Sequence, residues 1–428
     1  MGARRSVARD SLRIQRWTGV GGALTPHTVG PTDHAQSRGG RRPTDGGAHV
    51  WDVVVVGGGP AGCSAALAAR RARPEASVLL LDRAAFPRDK SCGDGIAPHA
   101  VDILRGLGVP WTFPTHRPVR ALELSSATDR VARQMSRDAW VIPRYDFDHH
   151  LFQCAQAAGV DVAQHRVREV RRGVSCVVLD EEIEAKVLIA ADGVHSGVRR
   201  STGERLGSHS STALALRGYA PTPANRLGKQ AIVFSSLRQP AYAWSFDRGD
   251  GWSNIGYGEV LRGSSVRAPL SKGMMIEQLE RLLPGGTIEA QSWLGAELPL
   301  SGPGFAHPDG RIVYAGDAAH LVNPLTGEGI YYAVLTGSLA GTSAVAGTGE
   351  DPARGYRRRV RRHLQRHLRT TAAVSRLFRS PLLLRAGLRA AAVDQGVFDD
   401  VVEVGLGSGN ATARAARGVL QEALRGRR

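Results

Sequence analysis

The stretch Val53-Val-Val-Val-Gly57-Gly-Gly59-Pro-Ala-Gly62-Cys-Ser-Ala-Ala66 joins a β-branched run to a glycine turn and then to a small-residue helix. The four valines predict a strand buried on both faces, as in a parallel sheet. We expect Gly57 to permit the tight turn, Gly59 to admit a pyrophosphate, and Gly62 to let the helix pack closely on the strand. Because the first N–H groups of a helix bind anions, this stretch predicts a dinucleotide site.

A second strand and an acidic residue follow at the spacing that such a site requires. Val78-Leu-Leu-Leu-Asp82 reads as a buried strand. Asp82 falls about 20 residues beyond the glycines, where a carboxylate meets ribose hydroxyls. Arg83, the next residue, is grouped with Asp82 among the candidate ligand contacts. The alternative is an ordinary β-α-β unit without a ligand, and the order of strand, turn, helix and acid favours the dinucleotide.

Composition bounds the remaining possibilities. The 428 residues suffice for two or more domains, and a hydrophobic content of 42% is typical of a globular protein. The four cysteines are scattered without metal-ligand or disulfide spacing, so we predict no metal site and a reducing, cytoplasmic location. The net charge of +17 comes almost wholly from arginine, a bias that genome composition also produces. No nucleic-acid reading motif accompanies it, and we expect no nucleic-acid partner.

Two further glycine-containing blocks lie far along the chain. In residues 311–333 a short apolar strand runs into Gly316-Asp317, then into a loop with Pro324, and then into a long helix. An acid at a strand end suits a sugar-type hydroxyl, and helix N–H groups suit an anionic ring edge. In residues 187–199 another buried strand leads into Asp192-Gly193. Asp192 is either a simple turn residue or a ligand contact.

Together the three blocks resemble the FAD-dependent oxidoreductases of the aromatic-hydroxylase superfamily. The resemblance implies that the first glycine motif and Asp82 bind the AMP half of FAD, and that Gly316-Asp317 binds its ribityl chain. It also implies that Asp192-Gly193 contacts both FAD and NAD(P)H. The predicted cofactor is therefore FAD, with NAD(P)H or another reductant as electron donor.

Finer motifs resemble one branch of that superfamily. Lys90-Ser-Cys92-Gly93-Asp-Gly95 is similar to the Lys-x-Cys-Gly-x-Gly loop of geranylgeranyl reductases, which lies over the flavin ring. Gly327-Glu-Gly329 also looks like the reductases. Arg144 stands where both groups carry an arginine near the flavin, although a surface ion pair is the alternative. The resulting set of cofactor contacts is Gly57, Gly59, Gly62, Asp82, Arg83, Cys92, Gly93, Arg144, Asp192, Gly316, Asp317, Pro324, Gly327 and Gly329.

Tyr242-Ala-Trp244-Ser-Phe246 is similar to the Tyr-x-Trp-x-Phe substrate wall of geranylgeranyl reductases. It departs from that pattern at Asp247-Arg248, where the family usually has Pro-Lys. Alternate residues of a strand share a face, so the three aromatic side chains point the same way. They form either a wall against an apolar substrate or part of an ordinary core.

Cys92 and His320 each permit two interpretations. A lone cysteine is usually a small buried hydrophobe. In a glycine loop beside Lys90, however, it should be partly accessible and tend towards the thiolate, which makes it the candidate catalytic residue. His320 follows the Gly-Asp-Ala-Ala stretch, where aromatic hydroxylases commonly have histidine and the reductases glycine. Alternatively, it is a turn residue.

The predicted fold is α/β: a Rossmann-like FAD-binding domain, a second antiparallel-sheet substrate domain and a C-terminal helical region. The assigned segments are a disordered extension at 1–49, a discontinuous FAD-binding domain at 50–204 and 301–350, a substrate domain at 205–300, and a basic helical region at 351–428. The basic helix either contacts an anionic membrane peripherally, each Arg contributing about 1 kcal/mol, or presents a solvated face.

The leading functional hypothesis is a reductase that transfers hydride from reduced flavin to a carbon–carbon double bond of an isoprenoid-like or other apolar substrate. Cys92 or an ordered water would supply the proton. The alternative is a monooxygenase that acts on an aromatic or alkene substrate, a hypothesis motivated by His320. A halogenase is less favoured because the chain lacks a Trp-x-Trp-x-Ile-Pro stretch. A flavin-binding protein with a decayed site is the non-enzymatic alternative.

Overall fold

The computed structural model describes residues 49–205, 209–261, 270–347, 349 and 351–425. Apart from residue 49, the predicted disordered extension lies outside them. In chain order the strands are β1 (Val50–Val56), β2 (Val78–Asp82), β3 (Gly95–Ile96), β4 (Val119–Ser125), β5 (Arg130–Val141), β6 (Asp161–Gln164), β7 (Val170–Arg172), β8 (Val177–Leu179), β9 (Ile183–Ala190), β10 (His209–Pro221), β11 (Lys229–Phe234), β12 (Ala241–Asp247), β13 (Trp252–Val260), β14 (Gln291–Ser301) and β15 (Ile312–Tyr314). The α-helices are α1 (Pro60–Ala72), α2 (Pro98–Gly106), α3 (Arg144–Ala157), α4 (Gly197–Ser201), α5 (Lys272–Leu282), α6 (Ile330–Ala344), α7 (Pro352–Leu377), α8 (Pro381–Val393), α9 (Gln395–Leu406) and α10 (Ala413–Arg425).

The first sheet has the order β6-β2-β1-β9-β8-β7, with β15 also paired to β9. β1 pairs in parallel with β2 and β9, and β15 pairs in parallel with β9. The side chains of Val53, Val54 and Val55 are fully buried. The prediction of a doubly covered parallel strand is confirmed, because helices pack on both faces of such a sheet.

Helices α1 and α6 cross in unusually close contact. A Cβ atom at Gly337 would lie 2.1 Å from the carbonyl oxygen of Ala61, and one at Gly341 would lie 2.0 Å from that of Ala65. Only glycine fits at either position. This contact brings the first glycine turn beside the Gly316-Asp317 turn, although the two are far apart in the sequence.

The second sheet has the order β14-β10-β13-β12-β11-β4-β5-β3 and is antiparallel except where β11 runs parallel to β4. Its strands β3, β4 and β5 come from within residues 50–204, the segment assigned above to the FAD-binding domain. The chain therefore contributes to the second sheet both before and after residue 205. The predicted antiparallel second domain is present.

The C-terminal helices pack on both sheets. α7 lies against α6 and β15, with Leu364 and Leu368 buried, while α8 and α9 cover the outer strands β4 and β5. Arginines of α7 hydrogen-bond to the backbone of the segment before β15: Arg357 donates to the carbonyl of His307, and Arg361 donates to the carbonyl of Phe305. Among the described residues, no helix combines the length and apolar character needed to span a membrane.

Candidate functional site

A cavity of about 1190 Å³ lies between the two sheets and extends to the C-terminal helices. One end is polar and one is apolar. The polar end is lined by Asp82, Arg83, Arg88, His165, Arg166 and Arg200. The apolar end is lined by Leu122, Leu124, Ile232, Phe234, Phe378, Leu384, Leu388 and Val401. This lining suits two ligands: an elongated one that is charged at one end, and a second one that is largely apolar.

The first glycine turn has the geometry expected from its sequence. Gly57 has a φ of +107°, and a Cβ atom there would lie 2.3 Å from the carbonyl oxygen of Ala191. A Cβ atom at Gly62 would lie 1.7 Å from the carbonyl oxygen of Gly57, so α1 begins directly against the turn. Both glycines are required by the backbone, and the N-terminus of α1 opens into the cavity.

Two arginines face this turn, the buried Arg144 and the partly exposed Arg88. Arg144 Nε and Nη2 donate to the two carboxylate oxygens of Asp148 at 2.6 and 2.7 Å, and Arg88 donates to Asp148 at 3.0 Å. A Cβ atom at Gly59 would lie 3.6 Å from Arg88 and 3.7 Å from Arg144. Only 4% of Arg144 is exposed, so the surface ion pair considered for it is wrong. Two guanidinium groups held at the turn by carboxylates can offer further N–H donors to a pyrophosphate.

Asp82 hydrogen-bonds to the first glycine turn on the side away from Arg144. Its Oδ2 accepts from the backbone N–H of Gly58 at 2.7 Å, and Arg88 approaches the same oxygen at 3.5 Å. Arg83 is exposed at the polar end of the cavity. The carboxylate that the sequence assigns to the ribose therefore also holds the glycine turn in place.

The other two blocks meet at the same cavity. Asp192 Oδ2 accepts from the N–H of Gly197 at 2.7 Å, while its Oδ1 is buried with no hydrogen-bond partner among the described residues. Arg199 donates to the carbonyl of Ala318 at 2.6 Å and so joins this loop to the Gly316-Asp317 turn. An unsatisfied buried carboxylate oxygen on a cavity wall fits a ligand hydroxyl.

Asp317 and the loop after it complete this wall. Gly316 has a φ of +58°, and Asp317 Oδ2 lies 3.3 Å from the ammonium group of Lys90. Pro324, Gly327 and Gly329 line the cavity just before α6. The same loop is held by the C-terminal region, because the hydroxyl of Thr326 donates to the carbonyl of Gly405 at 2.7 Å.

Cys92 and Gly93 also line the cavity, but the thiol does not have the predicted character. Burial raises the pKa of Cys92, and Arg144, the nearby cation, offsets this only in part. Lys90 binds Asp317 instead of supporting a thiolate. The expectation of a thiolate is therefore wrong, and the site holds a thiol that can donate a proton.

Tyr242, Trp244 and Phe246 form a continuous aromatic wall on β12, with neighbouring ring centroids 6.0 and 6.3 Å apart. All three line the cavity, as the strand alternation predicts. Gly256 lies opposite Trp244 on β13, and a Cβ atom there would lie 2.2 Å from the indole. The wall faces the Cys92 loop, because a Cβ atom at Gly93 would lie 3.5 Å from Phe246.

Asn254 of β13, which the sequence analysis did not single out, connects the wall to the Cys92 loop. Its Oδ1 accepts from Trp244 Nε1 at 2.8 Å, and its Nδ2 donates at 2.8 Å to both the carbonyl of Cys92 and the carboxylate of Asp94. Asn254 is fully buried. Because β13 also carries the polar residues Ser253 and Glu259, its sequence does not single out Asn254.

Asp94 and Arg217 form a second network below this loop. Asp94 is fully buried and accepts from the hydroxyl of Tyr219 at 2.6 Å, and burial raises its pKa to about 6. Arg217, only 1% exposed, forms an ion pair with Asp89 at the start of the Cys92 loop. Neither residue stood out in the sequence, because each gains its partner only through the second sheet.

His320 is the residue for which the structure favours the simpler interpretation. It ends the short 3-10 turn Gly316–Ala319 in the left-handed conformation, with a φ of 55°. It is not among the described residues that line the cavity. Among the same residues, no group of three or more histidine, cysteine and acidic side chains could hold a metal ion.

Comparison with known proteins agrees with this geometry. Residues 50–229 match the family model of the FAD binding domain. The chain is 35% identical over 311 residues to a menaquinone reductase of Mycobacterium tuberculosis, covering 68% of this chain and 75% of that protein. It is 31% identical over 324 residues to digeranylgeranylglycerophospholipid reductase 1 of Methanopyrus kandleri, covering 70% and 82%.

The fold is also found among solved structures. A geranylgeranyl bacteriochlorophyll reductase-like protein of Thermoplasma acidophilum superposes with a TM-score of 0.67 at 20% identity. The match covers 88% of this chain and 96% of that one. The glycine turn, the arginine pair facing it and the unsatisfied Asp192 oxygen fit FAD.

Proposed function

Because this chain belongs to the geranylgeranyl reductase-like family of FAD-dependent oxidoreductases, we propose that it reduces carbon–carbon double bonds of an apolar, isoprenoid-like substrate. The observation that carries the proposal is the aromatic wall, which Asn254 joins to the Cys92 loop and which continues through Phe234 into the apolar lining of the cavity. A flexible polyene chain gains binding energy from such a surface, about 25 cal/mol for each Å² of apolar area removed from water.

The chemistry divides between the cofactor and Cys92. Bound FAD, once reduced, supplies the hydride. Cys92 supplies the proton, because burial keeps its thiol protonated and so able to act as an acid. Arg144 stands close enough to stabilise the thiolate that remains. NAD(P)H or another reductant would reduce the flavin from the open side of the cavity.

The polar part of the site has a separate role. Arg88, Arg144 and the N-terminus of α1 would hold the pyrophosphate, and Asp82 and Asp192 would bind hydroxyls of the cofactor. The contacts predicted for Asp317 and for the loop from Pro324 to Gly329 belong to the same proposal. These residues position the ring, and the apolar end is left for the substrate.

A peripheral membrane contact would supply such a substrate. Leu377 and Leu382 are exposed at the corner between α7 and α8, beside the exposed Arg376 and Arg379, and Phe378 lines the cavity. Cosedimentation with vesicles of anionic lipid should fall several-fold when both leucines become serine. Unchanged binding would refute this contact.

The test of the reaction is anaerobic. Chemically reduced, FAD-loaded protein is mixed with a polyprenyl quinone and with a geranylgeranylated lipid, and the products are analysed by mass spectrometry. Each reduced double bond adds two hydrogens, and Cys92→Ala should slow the addition by at least tenfold. Full turnover by Cys92→Ala would remove the proton-donor role.

The same preparation also tests the alternative chemistry. With labelled dioxygen admitted, a monooxygenase would place oxygen-18 in the product. Incorporated label, with no gain of two hydrogens under anaerobic conditions, would refute the reductase.

A further inference from the structure

Glu328 lines the same cavity and has no role in the reaction outlined so far. It lies between Gly327 and Gly329, directly before α6. Its Oε1 accepts from the backbone N–H of Tyr331 at 2.7 Å. This bond caps the helix, but capping alone would be served equally well by a carboxylate facing solvent.

The loops that carry Glu328 and Cys92 both pack against the aromatic wall. The hydroxyl of Tyr242 donates to the carbonyl of Thr326, and a Cβ atom at Gly327 would lie 3.3 Å from that hydroxyl oxygen. One ring further along, the indole of Trp244 would lie 3.6 Å from a Cβ atom at Gly93. Because these rings are 6.0 Å apart, the Glu328 and Cys92 loops pack on neighbouring parts of one wall.

The electrostatic environment couples the two groups. Burial raises the pKa of Glu328 to about 7, so its carboxyl gains and loses a proton near neutral pH. The Glu328 carboxylate in turn contributes to raising the pKa of Cys92. The other titratable or charged groups that act on this pair are Asp94, Arg144, Tyr242 and Tyr332.

These other groups are poorly suited to carry a proton to Cys92. Arg144 is committed to Asp148, and Asp94 accepts from both Tyr219 and Asn254 and does not line the cavity. Burial holds the pKa of Tyr242 far above neutrality. Glu328 combines a position on the cavity wall with a proton that it can release.

We propose that Glu328 returns a proton to Cys92 after each double bond is reduced. This inference rests on the proposed function. Hydride adds to one alkene carbon, and the π electron pair takes the proton of the Cys92 thiol at the other carbon. The S–H bond breaks and a thiolate remains. A water molecule between the two groups then relays a proton: the O–H bond of Glu328 breaks, the S–H bond of Cys92 forms again, and solvent reprotonates the Glu328 carboxylate once the product has moved.

A proton held by Glu328 matters when one substrate molecule carries several double bonds. A long apolar substrate fills the cavity and separates Cys92 from bulk water, so the second reduction depends on a proton stored within the site. Glu328 would hold this proton beside the aromatic wall along which the substrate moves.

The decisive variant is Glu328→Gln, which keeps an acceptor for the Tyr331 N–H but cannot release a proton. The matched control is Glu280→Gln, because Glu280 also accepts from backbone N–H groups, those of Gly285 and Thr287, and lies outside the cavity. Both variants should fold and retain FAD, which the flavin absorbance verifies.

The first readout does not depend on turnover. The rate of Cys92 alkylation by iodoacetamide is followed against pH by peptide mass spectrometry in the FAD-loaded protein. Removing the Glu328 charge should lower the pKa of Cys92 and speed alkylation at pH 8 about threefold. The Glu280 variant should match wild type. An unchanged alkylation profile in Glu328→Gln would overturn the inference.

The second readout concerns successive reductions. With a substrate that carries several double bonds, the ratio of the second reduction rate to the first should be at least tenfold lower in Glu328→Gln than in wild type and in Glu280→Gln. The fall in wild-type rate above about pH 7 should be absent from the variant. Equal rates for both bonds in the variant would overturn the inference while leaving the reductase activity established. Absence of any reduction by wild type would instead refute the proposed function.

Discussion

Replacing Asn254 by aspartate should separate the aromatic wall from the Cys92 loop without changing the size of the side chain. The aspartate keeps an acceptor for the indole N–H of Trp244. It loses the donor that now serves the carbonyl of Cys92 and the carboxylate of Asp94, each at 2.8 Å. It also sets a second carboxylate against Asp94 in a buried position.

The magnitude follows from the groups left unsatisfied. A buried acceptor that loses its donor costs about 1 to 3 kcal/mol, and this cost falls on the Cys92 carbonyl, because Asp94 keeps the hydrogen bond from Tyr219. Repulsion between the carboxylates adds to this at neutral pH and decreases as the pH falls and one of them is protonated. The destabilisation should therefore be smaller at pH 5 than at pH 7.

The assay is urea denaturation of the FAD-loaded protein, followed by tryptophan fluorescence and, separately, by Cys92 alkylation. The control is Asn410→Asp, because Asn410 is partly exposed and only its Oδ1 accepts a long bond, 3.4 Å, from Thr370. In Asn254→Asp, alkylation should accelerate at urea concentrations well below global unfolding. Stability within 0.5 kcal/mol of wild type at pH 7 would refute the idea that this amide joins the two parts.

Three further outcomes follow from other contacts. Gly341→Ala should destabilise the protein by about 1 to 3 kcal/mol in thermal or urea unfolding and weaken FAD retention, whereas Gly106→Ala, where a Cβ atom meets open space, should not. Burial raises the pKa of Asp94 to about 6, so the folded state holds that proton more tightly than the unfolded chain does. This proton should contribute a fall of about 2 kcal/mol in wild-type stability as pH rises from 4 to 6, and Asp94→Asn should lack this component in urea titrations. Arg144→Met breaks a buried ion pair and should cost about 3 to 5 kcal/mol, while Arg171→Met on the surface should leave the stability nearly unchanged.

The elements that could be predicted from the sequence are those determined by local pattern. The valine strand, the glycine turn and the alternating aromatic wall depend on residues within about ten positions of one another, and the structure has all three. Glycine spacing specifies a turn because the backbone there excludes a Cβ atom, which Gly57 and Gly62 show directly.

The residues that were missed depend on long-range partners. Asn254 binds a loop 162 positions earlier in the chain, and Arg217 binds Asp89 across 128 positions. Nothing near either residue indicates this. The thiolate expected at Cys92 was wrong for a related reason: burial in the folded protein raises the pKa of the thiol, and Lys90, though adjacent in sequence, pairs with Asp317.

The glycine-mediated contact of α1 with α6 also has a consequence for synthesis. Ala65 is synthesised about 275 residues before Gly341. At a synthesis rate of about 5 to 20 residues per second, this separation is a delay of roughly 15 to 55 s. During this interval the first glycine turn exists without its partner helix and without the loop that precedes it. The nascent chain therefore cannot capture its cofactor early, and a product that terminates before α6 would carry an intact nucleotide motif and yet remain colourless.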